Sequence, residues 1–316
     1  MRYNTADMDE PHDIADNVLD LVGRTPLVRI HRMNPEPGVS LLAKLEGCNP
    51  LGSVKERIAL RIVAEAERRG TLKRGMTLLE SSSGNTGIGL AMVGAVKGYR
   101  VVITMAQKVS MERRQILRAL GAEIVFTGPA GGSDDAWDLA DRLERDNPGR
   151  YFRLAQYENP LNPLTHYEGT AEEVWRQTGG RVDWLVLTLG TCGTLVGMGR
   201  RLKEHNPKLR VVAVEPQKQH AQQGIRNMEE SRVPEIMDWS LVDERMVVSD
   251  DDAMRTTRQL ALQEGILGGI SSGTALYAAI EVARRERRGS IVTLFPDRGE
   301  KYFSTPLFPP GPAPSC

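Results

Sequence analysis

Apolar residues along this chain form two alternating patterns, short continuous runs and longer amphipathic stretches. Runs such as Trp184-Leu185-Val186-Leu187 have no polar interruption, which is typical of strands covered on both faces. The short runs predict strands at residues 41–46, 76–80, 100–105, 123–127, 184–189, 210–215 and 290–295. The amphipathic stretches predict helices at residues 54–69, 86–97, 110–120, 134–145, 163–177, 194–204, 251–264 and 272–287. This alternation indicates an α/β architecture with mostly parallel sheets.

Length and charge narrow the class of protein. The 316 residues suffice for a large core in one or two domains. The chain carries 41 basic and 41 acidic side chains, so no charge excess points to nucleic acid. No apolar run is long enough to cross a bilayer, and residues 1–20 are polar and acidic without the apolar centre of a signal peptide. These features predict a cytoplasmic protein with no membrane partner.

The cysteine and histidine content argues against disulfides and metals. Cys48, Cys192 and Cys316 are too few and too scattered for a disulfide framework. With five histidines, and neither an HExxH nor a CxxC motif, we expect no structural or catalytic metal.

A lysine lies just inside the first long predicted helix, behind a tight turn. The segment reads Asn49-Pro50-Leu51-Gly52-Ser53-Val54-Lys55. Burial or a nearby positive helix end lowers the pKa of a lysine from its usual value of ~10.4, and so frees the amine to attack a carbonyl. Lys55 is therefore a candidate imine-forming residue. The alternative is a solvated lysine of the protein surface.

Two polar, glycine-containing loops each follow a predicted strand and precede a predicted helix. The first, Ser81-Ser82-Ser83-Gly84-Asn85-Thr86-Gly87, has amides and hydroxyls that can gather around a carboxylate. The second, Gly190-Thr191-Cys192-Gly193-Thr194, lets the backbone approach a phosphate closely and is neither a G-x-G-x-x-G nor a Walker A pattern. Each loop alone also suits an ordinary helix cap and turn. Together with the lysine, they suit an aldehyde cofactor that carries a phosphate.

The order and spacing of these motifs resemble the fold-type II family of pyridoxal-phosphate enzymes. Within that family they are most similar to the cysteine synthase group (O-acetylserine sulfhydrylases), particularly its B-type members. The resemblance runs from Gly23-Arg24-Thr25-Pro26-Leu27-Val28 to Asp297-Arg298-Gly299-Glu300-Lys301-Tyr302. It therefore covers nearly the whole chain.

The resemblance implies two three-layer αβα lobes with mostly parallel, twisted sheets. Residues 1–47 and 159–305 would form the larger, cofactor-binding lobe, and residues 48–158 the smaller, mobile lobe. The resemblance also implies a homodimer. Residues 306–316 are rich in proline, and we predict that they form a disordered tail.

The resemblance also implies roles for the residues that hold the cofactor. Pyridoxal 5′-phosphate would be attached to Lys55, which then serves as general base. Asn85 matches the residue that hydrogen-bonds the 3′-oxygen of the cofactor, and Gly190-Thr191-Cys192-Gly193-Thr194 matches its phosphate cradle. Ser271 matches the residue that faces the pyridine nitrogen, where a neutral serine favours loss of a β-substituent. The local sequence equally suits a helix N-cap at Ser271 or Ser272.

For the amino-acid substrate, the resemblance assigns the carboxylate to Ser82, Ser83, Gly84 and Thr86, together with Gln156. A glutamine near a turn is otherwise usually a surface residue. Ser81 stands where the family more often has proline. Asp297 is expected to have a supporting role near the ring-nitrogen end of the cofactor.

Two positions relate to specificity and redox chemistry. Arg226 matches an arginine of B-type members, which also occurs in relatives that prefer O-phosphoserine or accept thiosulfate, and arginine forks suit such oxyanions. The alternative is a solvated arginine on a surface loop. Cys192 stands where the family usually has glycine or threonine. We interpret it as a tolerated small residue, with a redox role as the less favoured alternative.

These residues predict a transferase that makes L-cysteine by β-replacement, beginning with a β-elimination. Its partners would be small molecules: an activated serine (O-acetylserine or O-phosphoserine) and a sulfur donor, which could be sulfide, thiosulfate or a carrier thiocarboxylate. Cystathionine β-synthase-type condensation of serine with homocysteine is one alternative on the same scaffold, and serine or threonine dehydration is a weaker one. A catalytically weak, cofactor-binding paralogue is a further alternative, suggested by Ser81, Cys192 and Met105-Ala106-Gln107.

Overall fold

The computed structural model describes residues 14–82, 84–129 and 131–308. The strands are β1 (Leu27–Arg29), β2 (Val39–Leu45), β3 (Thr77–Ser81), β4 (Arg100–Met105), β5 (Glu123–Phe126), β6 (Tyr151–Arg153), β7 (Trp184–Thr188), β8 (Arg210–Pro216), β9 (Glu244–Val248) and β10 (Gly289–Phe295). The helices are α1 (Lys55–Arg68), α2 (Asn85–Lys97), α3 (Met111–Ala119), α4 (Ser133–Asp146), α5 (Leu161–Thr165), α6 (Ala171–Gln177), α7 (Gly193–His205), α8 (Asp250–Gln259) and α9 (Ile270–Glu286). Short 3-10 and π-helical turns connect some of them.

The strands form two separate sheets. The six-stranded sheet has the order β1-β2-β10-β7-β8-β9, in which β1 is antiparallel to β2 and the other pairs are parallel. The four-stranded sheet has the order β5-β4-β3-β6 and is parallel throughout. The prediction of an α/β fold with mostly parallel sheets is confirmed. In such sheets, ligands bind beyond the carboxyl ends of the strands.

The interior strands of the larger sheet bury both of their faces, as their continuous apolar runs predict. Val186 and Val212 pack into one hydrophobic core, while Leu185 and Val211 pack into a second core on the opposite face. The smaller sheet has a core of its own, in which Leu78 and its neighbours contact residues of α1 and α2.

A buried ion network holds α1 against the larger sheet. The Arg57 guanidinium lies 2.7 Å from a carboxylate oxygen of Glu46 and 2.6 Å from one of Glu173. Lys44 on β2 adds a third contact, 2.7 Å from the second oxygen of Glu173. Because buried charges are tolerated only when they are paired, this network fixes α1 and its first residue, Lys55, relative to β2 and α6.

Every strand and helix predicted from the sequence is present in the structure, with ends that differ by a few residues. Three short strands, β1, β6 and β9, were not predicted. β1 and β6 have three residues each, too few to show a period, and β9 alternates between half-exposed and exposed residues. The predicted helix 163–177 is interrupted by a π-helical segment, His166–Thr170. The strands of the smaller sheet fall between Thr77 and Arg153, and the lobe boundaries at 48 and 158 stay a prediction.

The predicted tail, 306–316, lies outside the described residues from 309 onward. Of its first residues, Leu307 is buried, and its carbonyl accepts a 2.7 Å hydrogen bond from Arg258 Nε.

Candidate active site

Lys55 is the first residue of α1 and lines a cleft between the two sheets. The turn before it is fixed by Glu56, whose carboxylate accepts hydrogen bonds from the N–H groups of Leu51 and Ser53 at 2.9 and 2.8 Å. Gly52 has a φ of 78°, and a Cβ there would lie 2.6 Å from Arg298 Nε. The turn therefore requires glycine at this position, and it directs Lys55 into the cleft.

The surroundings of Lys55 favour its neutral amine. Burial lowers the pKa of Lys55 to about 8, and the Asp297 carboxylate opposes this shift by a smaller amount. A lysine with this pKa is about one tenth neutral near pH 7, a fraction more than a hundred times that of a lysine in water, whose pKa is ~10.4. Lys55 is thus not a solvated surface lysine.

The second glycine-containing loop connects β7 to α7. A Cβ on Gly193 would lie 1.9 Å from Asn162 Oδ1, so only glycine lets the loop pack against Asn162. The Asn162 Nδ2 also donates to Thr191 Oγ1 at 3.1 Å, which orders the loop. The first N–H groups of α7, which has 13 residues, have no partner within the helix, an arrangement that suits an anion.

Cys192 is the N-cap residue of α7 and has a φ of 68°, a left-handed conformation that is uncommon outside glycine. Its side chain is 3% exposed. Burial raises the pKa of Cys192 to about 12, so the thiol stays protonated near neutral pH. A buried, protonated thiol is a poor nucleophile, which favours the interpretation of Cys192 as a tolerated small residue.

Two predicted carboxylate ligands of the first loop, Ser82 and Thr86, lie near a third, Gln156, which comes from a distant part of the chain. Ser82 Oγ accepts hydrogen bonds from the N–H groups of Gly84 and Gly87 at 3.1 and 3.0 Å. Thr86 Oγ1 donates to Gln156 Oε1 at 2.6 Å. Gln156 is 2% exposed, so the surface alternative for this residue is wrong. Gly84, a fourth predicted ligand, donates its N–H to Ser82 as stated above, and the fifth, Ser83, lies outside the described residues.

Asn85 and Ser271 each lie in the first turn of a helix that begins at the cleft. Asn85 opens α2 and donates from Nδ2 to Asp297 Oδ2 at 2.7 Å. Ser271 is the second residue of α9 and is 4% exposed. The N-cap of α9 is Gly269, without a side-chain cap, so the alternative of an N-cap at Ser271 or Ser272 is wrong. Asp297 contacts Asn85 directly.

Arg226 lines the same cleft as Lys55 and Gln156. Its Nη1 lies 3.1 Å from Asp134 Oδ1, and its Nη2 donates to the Tyr157 hydroxyl at 3.1 Å. The Tyr157 ring centroid lies 4.5 Å from the guanidinium carbon, a cation–π distance. Since Arg226 is 7% exposed, the alternative of a solvated surface arginine is wrong.

The sequence did not reveal several other residues near the cleft. Lys301 Nζ donates to Asn85 Oδ1 at 3.1 Å, and Arg113 donates to the Tyr302 hydroxyl at 2.7 Å and to Gln223 Oε1 at 2.9 Å. Lys301 and Tyr302 belong to the motif that begins at Asp297, but nothing in this motif predicts that they contact Asn85 and Arg113. Arg113 comes from α3 in a helical pattern that predicts only an exposed cation.

Two kinds of feature are absent from the described part of the chain. No group of three or more His, Cys, Asp or Glu side chains within residues 14–82, 84–129 and 131–308 is placed to hold a metal ion. Over the same ranges, every helix is too short or too polar to cross a membrane.

Comparisons with known proteins show what the whole chain is similar to. The chain matches the family model described as "Pyridoxal-phosphate dependent enzyme" over residues 18–297. It is 44% identical to cysteine synthase B of Escherichia coli (strain K12) over 287 residues, which cover 91% of this chain and 94% of that protein. It is 41% identical to cystathionine beta-synthase of Rattus norvegicus, over 96% of this chain and 57% of that protein. The crystal structure of cysteine synthase from Entamoeba histolytica is similar with a TM-score of 0.89 and 37% identity, over 97% of this chain and 94% of that one.

Proposed function

We propose that this chain, which belongs to the family of pyridoxal-phosphate dependent enzymes, makes L-cysteine from an activated serine and sulfide. One observation carries the proposal. Lys55 and the two glycine-containing loops, 81–87 and 190–194, meet in one cleft of a chain that is 44% identical to a cysteine synthase B. The resemblance of the motifs to the B-type cysteine synthases is confirmed by the same comparison.

The residues of the cleft fit pyridoxal phosphate. Lys55 offers an amine with a lowered pKa, and the start of α7 offers unpaired amides behind Gly193, where a Cβ would collide with Asn162. We assign the phosphate to the loop Gly190-Thr191-Cys192-Gly193-Thr194, the 3′-oxygen to Asn85 and the ring nitrogen to Ser271. The apolar side chains of Val54, Leu187 and Leu294, which line the same cleft, would cover the ring.

When bound, pyridoxal phosphate supplies an electron-withdrawing ring that acidifies the Cα–H of the amino acid beside it. Lys55 then moves the proton. Its Nζ takes the proton from the substrate Cα as the β-substituent leaves, and returns it to Cα once sulfur has bonded to Cβ. A pKa of about 8 suits this role, since a general base works best when its pKa is near the operating pH.

The first loop would hold the substrate carboxylate. Ser82 already accepts two backbone N–H bonds, so its own O–H is free to donate. The Thr86 hydroxyl donates to Gln156 Oε1 at 2.6 Å and Gln156 Nε2 donates to the Ser81 carbonyl at 2.9 Å, so each donor would turn from its present partner to reach a carboxylate. The α2 N-terminus adds positive potential. Ser83 and Gly84 complete the assignment. Holding the carboxylate here orients the Cα–H toward Lys55.

The cleft wall near Arg226 bears on the choice of substrates. The described residues that line this part of the cleft include Lys55, Lys108 and Arg226, and none of them is acidic. A wall of this charge favours anions, as expected for an amino-acid carboxylate and for O-phosphoserine or thiosulfate. We therefore assign Arg226 to the anionic group of the β-substituent or of the sulfur donor.

Turnover tests the reaction itself. The holoenzyme given O-acetylserine and sulfide should form cysteine, while Lys55→Ala should form none because it lacks the base. Lys97→Ala, which removes an amine paired with Glu67 on the outer side of α2, should keep full activity. Cysteine formation by Lys55→Ala at the wild-type rate would contradict the proposal.

Kinetics with two serine donors test the role of Arg226. Arg226→Gln should lose turnover of O-phosphoserine and keep turnover of O-acetylserine, since only the first donor carries a phosphate for the guanidinium. Arg232→Gln is the matched control, because its guanidinium also stacks on an aromatic ring, that of Trp137, but is half-exposed. Equal losses with both donors would remove Arg226 from substrate recognition.

Cystathionine formation is the second candidate, because the rat enzyme is 41% identical over 96% of this chain. That alignment covers 57% of the rat protein, against 94% for the Escherichia coli cysteine synthase B. Serine with equal concentrations of homocysteine and sulfide separates the two activities. Cystathionine as the main product would favour the second candidate.

We also propose a cytoplasmic homodimer. Cys48 and Cys192 are both unpaired, as suits a reducing compartment, and the homodimer follows from the resemblance to the cysteine synthases. Cell fractionation and light scattering of the purified protein measure these two properties.

A further inference from the structure

The side chain of Asn85 is held from two sides by the segment that follows β10. Lys301 Nζ lies 3.1 Å from Asn85 Oδ1, and Asp297 Oδ2 lies 2.7 Å from Asn85 Nδ2. Burial lowers the pKa of Lys301 to about 8, so near pH 7 its amine is still mainly an ammonium group. An ammonium group can only donate and a carboxylate can only accept. The two contacts therefore fix the orientation of the carboxamide, with its oxygen toward Lys301 and its nitrogen toward Asp297, and this assignment does not depend on a ligand.

We propose that Lys301 and Asp297 are positioning residues that make Asn85 an oriented N–H donor for the cofactor. One N–H of Asn85 is used by Asp297, which leaves the second for the cleft that Asn85 lines. The cation at the amide oxygen polarises the carboxamide and strengthens the second N–H as a donor, while the Asp297 carboxylate holds the amide nitrogen in place. The inference rests on the proposed use of Asn85 as the ligand of the cofactor's 3′-oxygen.

Both positioning residues are rigidly held and tied to the turn that presents Lys55. Lys301 is 3% exposed and also donates to the Gly52 carbonyl at 3.1 Å. Asp297 is 2% exposed, accepts from the Tyr302 hydroxyl at 2.9 Å and forms a β-bridge with Ser53. One short segment after β10 therefore sets the position of Asn85 and of the turn before Lys55. Groups fixed in this way lose little entropy when a ligand binds.

A double-mutant cycle on cofactor binding tests the inference. The dissociation constant of pyridoxal phosphate from cofactor-free protein is measured for Lys301→Met, Asn85→Ala and the double variant. Each single change should weaken binding about fivefold, the effect of one hydrogen bond. Because Lys301 acts through Asn85, the double variant should bind no more weakly than Asn85→Ala alone. Lys301→Arg, which keeps a cationic donor, should recover most of the affinity.

The absorbance maximum of the bound cofactor gives a second readout. Lys301→Met should move it toward the value of Asn85→Ala, whereas Lys97→Met, a lysine distant from Asn85 on the outer end of α2, should leave it unchanged. If Lys301→Met does not fold, Lys301→Gln takes its place, because its shorter amide does not reach Asn85.

The outcomes separate this inference from the proposed function. Losses of affinity that add in the double variant would overturn the positioning role, since Lys301 would then act independently of Asn85. Unchanged affinity in Asn85→Ala would instead overturn the assignment of Asn85 to the 3′-oxygen. Cysteine formation from O-acetylserine is measured separately, and its absence would count against the proposed reaction alone.

Discussion

Replacing Asp134 with asparagine should free the Arg226 guanidinium to bind small anions. In the structure the Asp134 carboxylate occupies Nη1 of Arg226 at 3.1 Å, where an oxyanion would otherwise bind. A unit-charge pair near this distance is worth about 4 kcal/mol at an effective dielectric constant of 20. Because the Asp134 side chain is 45% exposed, water reduces this to about 1 kcal/mol, which corresponds to a factor of about five.

We therefore expect Asp134→Asn to lower the dissociation constant of thiosulfate from the holoenzyme about fivefold. Inorganic phosphate should behave in the same way. Isothermal titration calorimetry measures both constants, with the phosphate cradle already filled by the cofactor. Asp138→Asn is the matched control, since it removes the same charge one turn along α4, where the partner is the half-exposed Arg232 at 3.3 Å. If the two variants gain the same affinity, a general change in charge explains the effect and our reasoning about Arg226 is refuted.

Three further predictions concern thiols, protons and stability. In a Cys316→Ser background, Ellman's reagent should modify Cys48 rapidly and Cys192 only after unfolding, because burial keeps the Cys192 thiol protonated; fast reaction of both would contradict this. The rate at which cofactor-free protein attaches pyridoxal phosphate should rise about tenfold per pH unit up to pH 8 and then level off, as the neutral fraction of Lys55 does; a plateau near pH 10.5 would show an unshifted lysine. Arg57→Leu leaves the buried Glu46 carboxylate without its cationic partner and leaves Glu173 paired with Lys44 alone, and should lower the free energy of unfolding by about 3–5 kcal/mol in urea titrations.

The sequence was a good guide where burial determines the pattern. The run from Trp184 to Leu187 is apolar because β7 has a core on each face, and such runs show where a strand lies. β9 was not predicted because it lies at the edge of its sheet, where two of its five residues are exposed and only one is buried. The π-helical turn at His166–Thr170 has no signature in the apolar pattern.

In the candidate site, local motifs located the groups that belong to loops and helix starts. Lys55 and Asn85 lie in segments whose glycine and polar residues predict a turn followed by a helix. The sequence therefore predicted that both residues lie at the start of a helix. The contact of Arg226 with Asp134 joins residues 92 positions apart, and that of Asn85 with Lys301 joins residues 216 positions apart. No local pattern records such contacts, because they depend on how two separate sheets are placed.

The position of β10 affects how the protein is made in the cell. Of the strands that the structure describes, β10 is the last to be synthesised, yet it is inserted between β2 and β7 in the interior of the larger sheet. The Val54 N–H before Lys55 donates to the Pro296 carbonyl just after β10, at 2.8 Å. A chain that ends before β10 lacks the centre of the larger sheet, and it also lacks Leu294 and Pro296, which line the cleft that contains Lys55. We therefore expect cofactor binding to require a synthesised and inserted β10, so truncations that remove this strand should yield colourless protein.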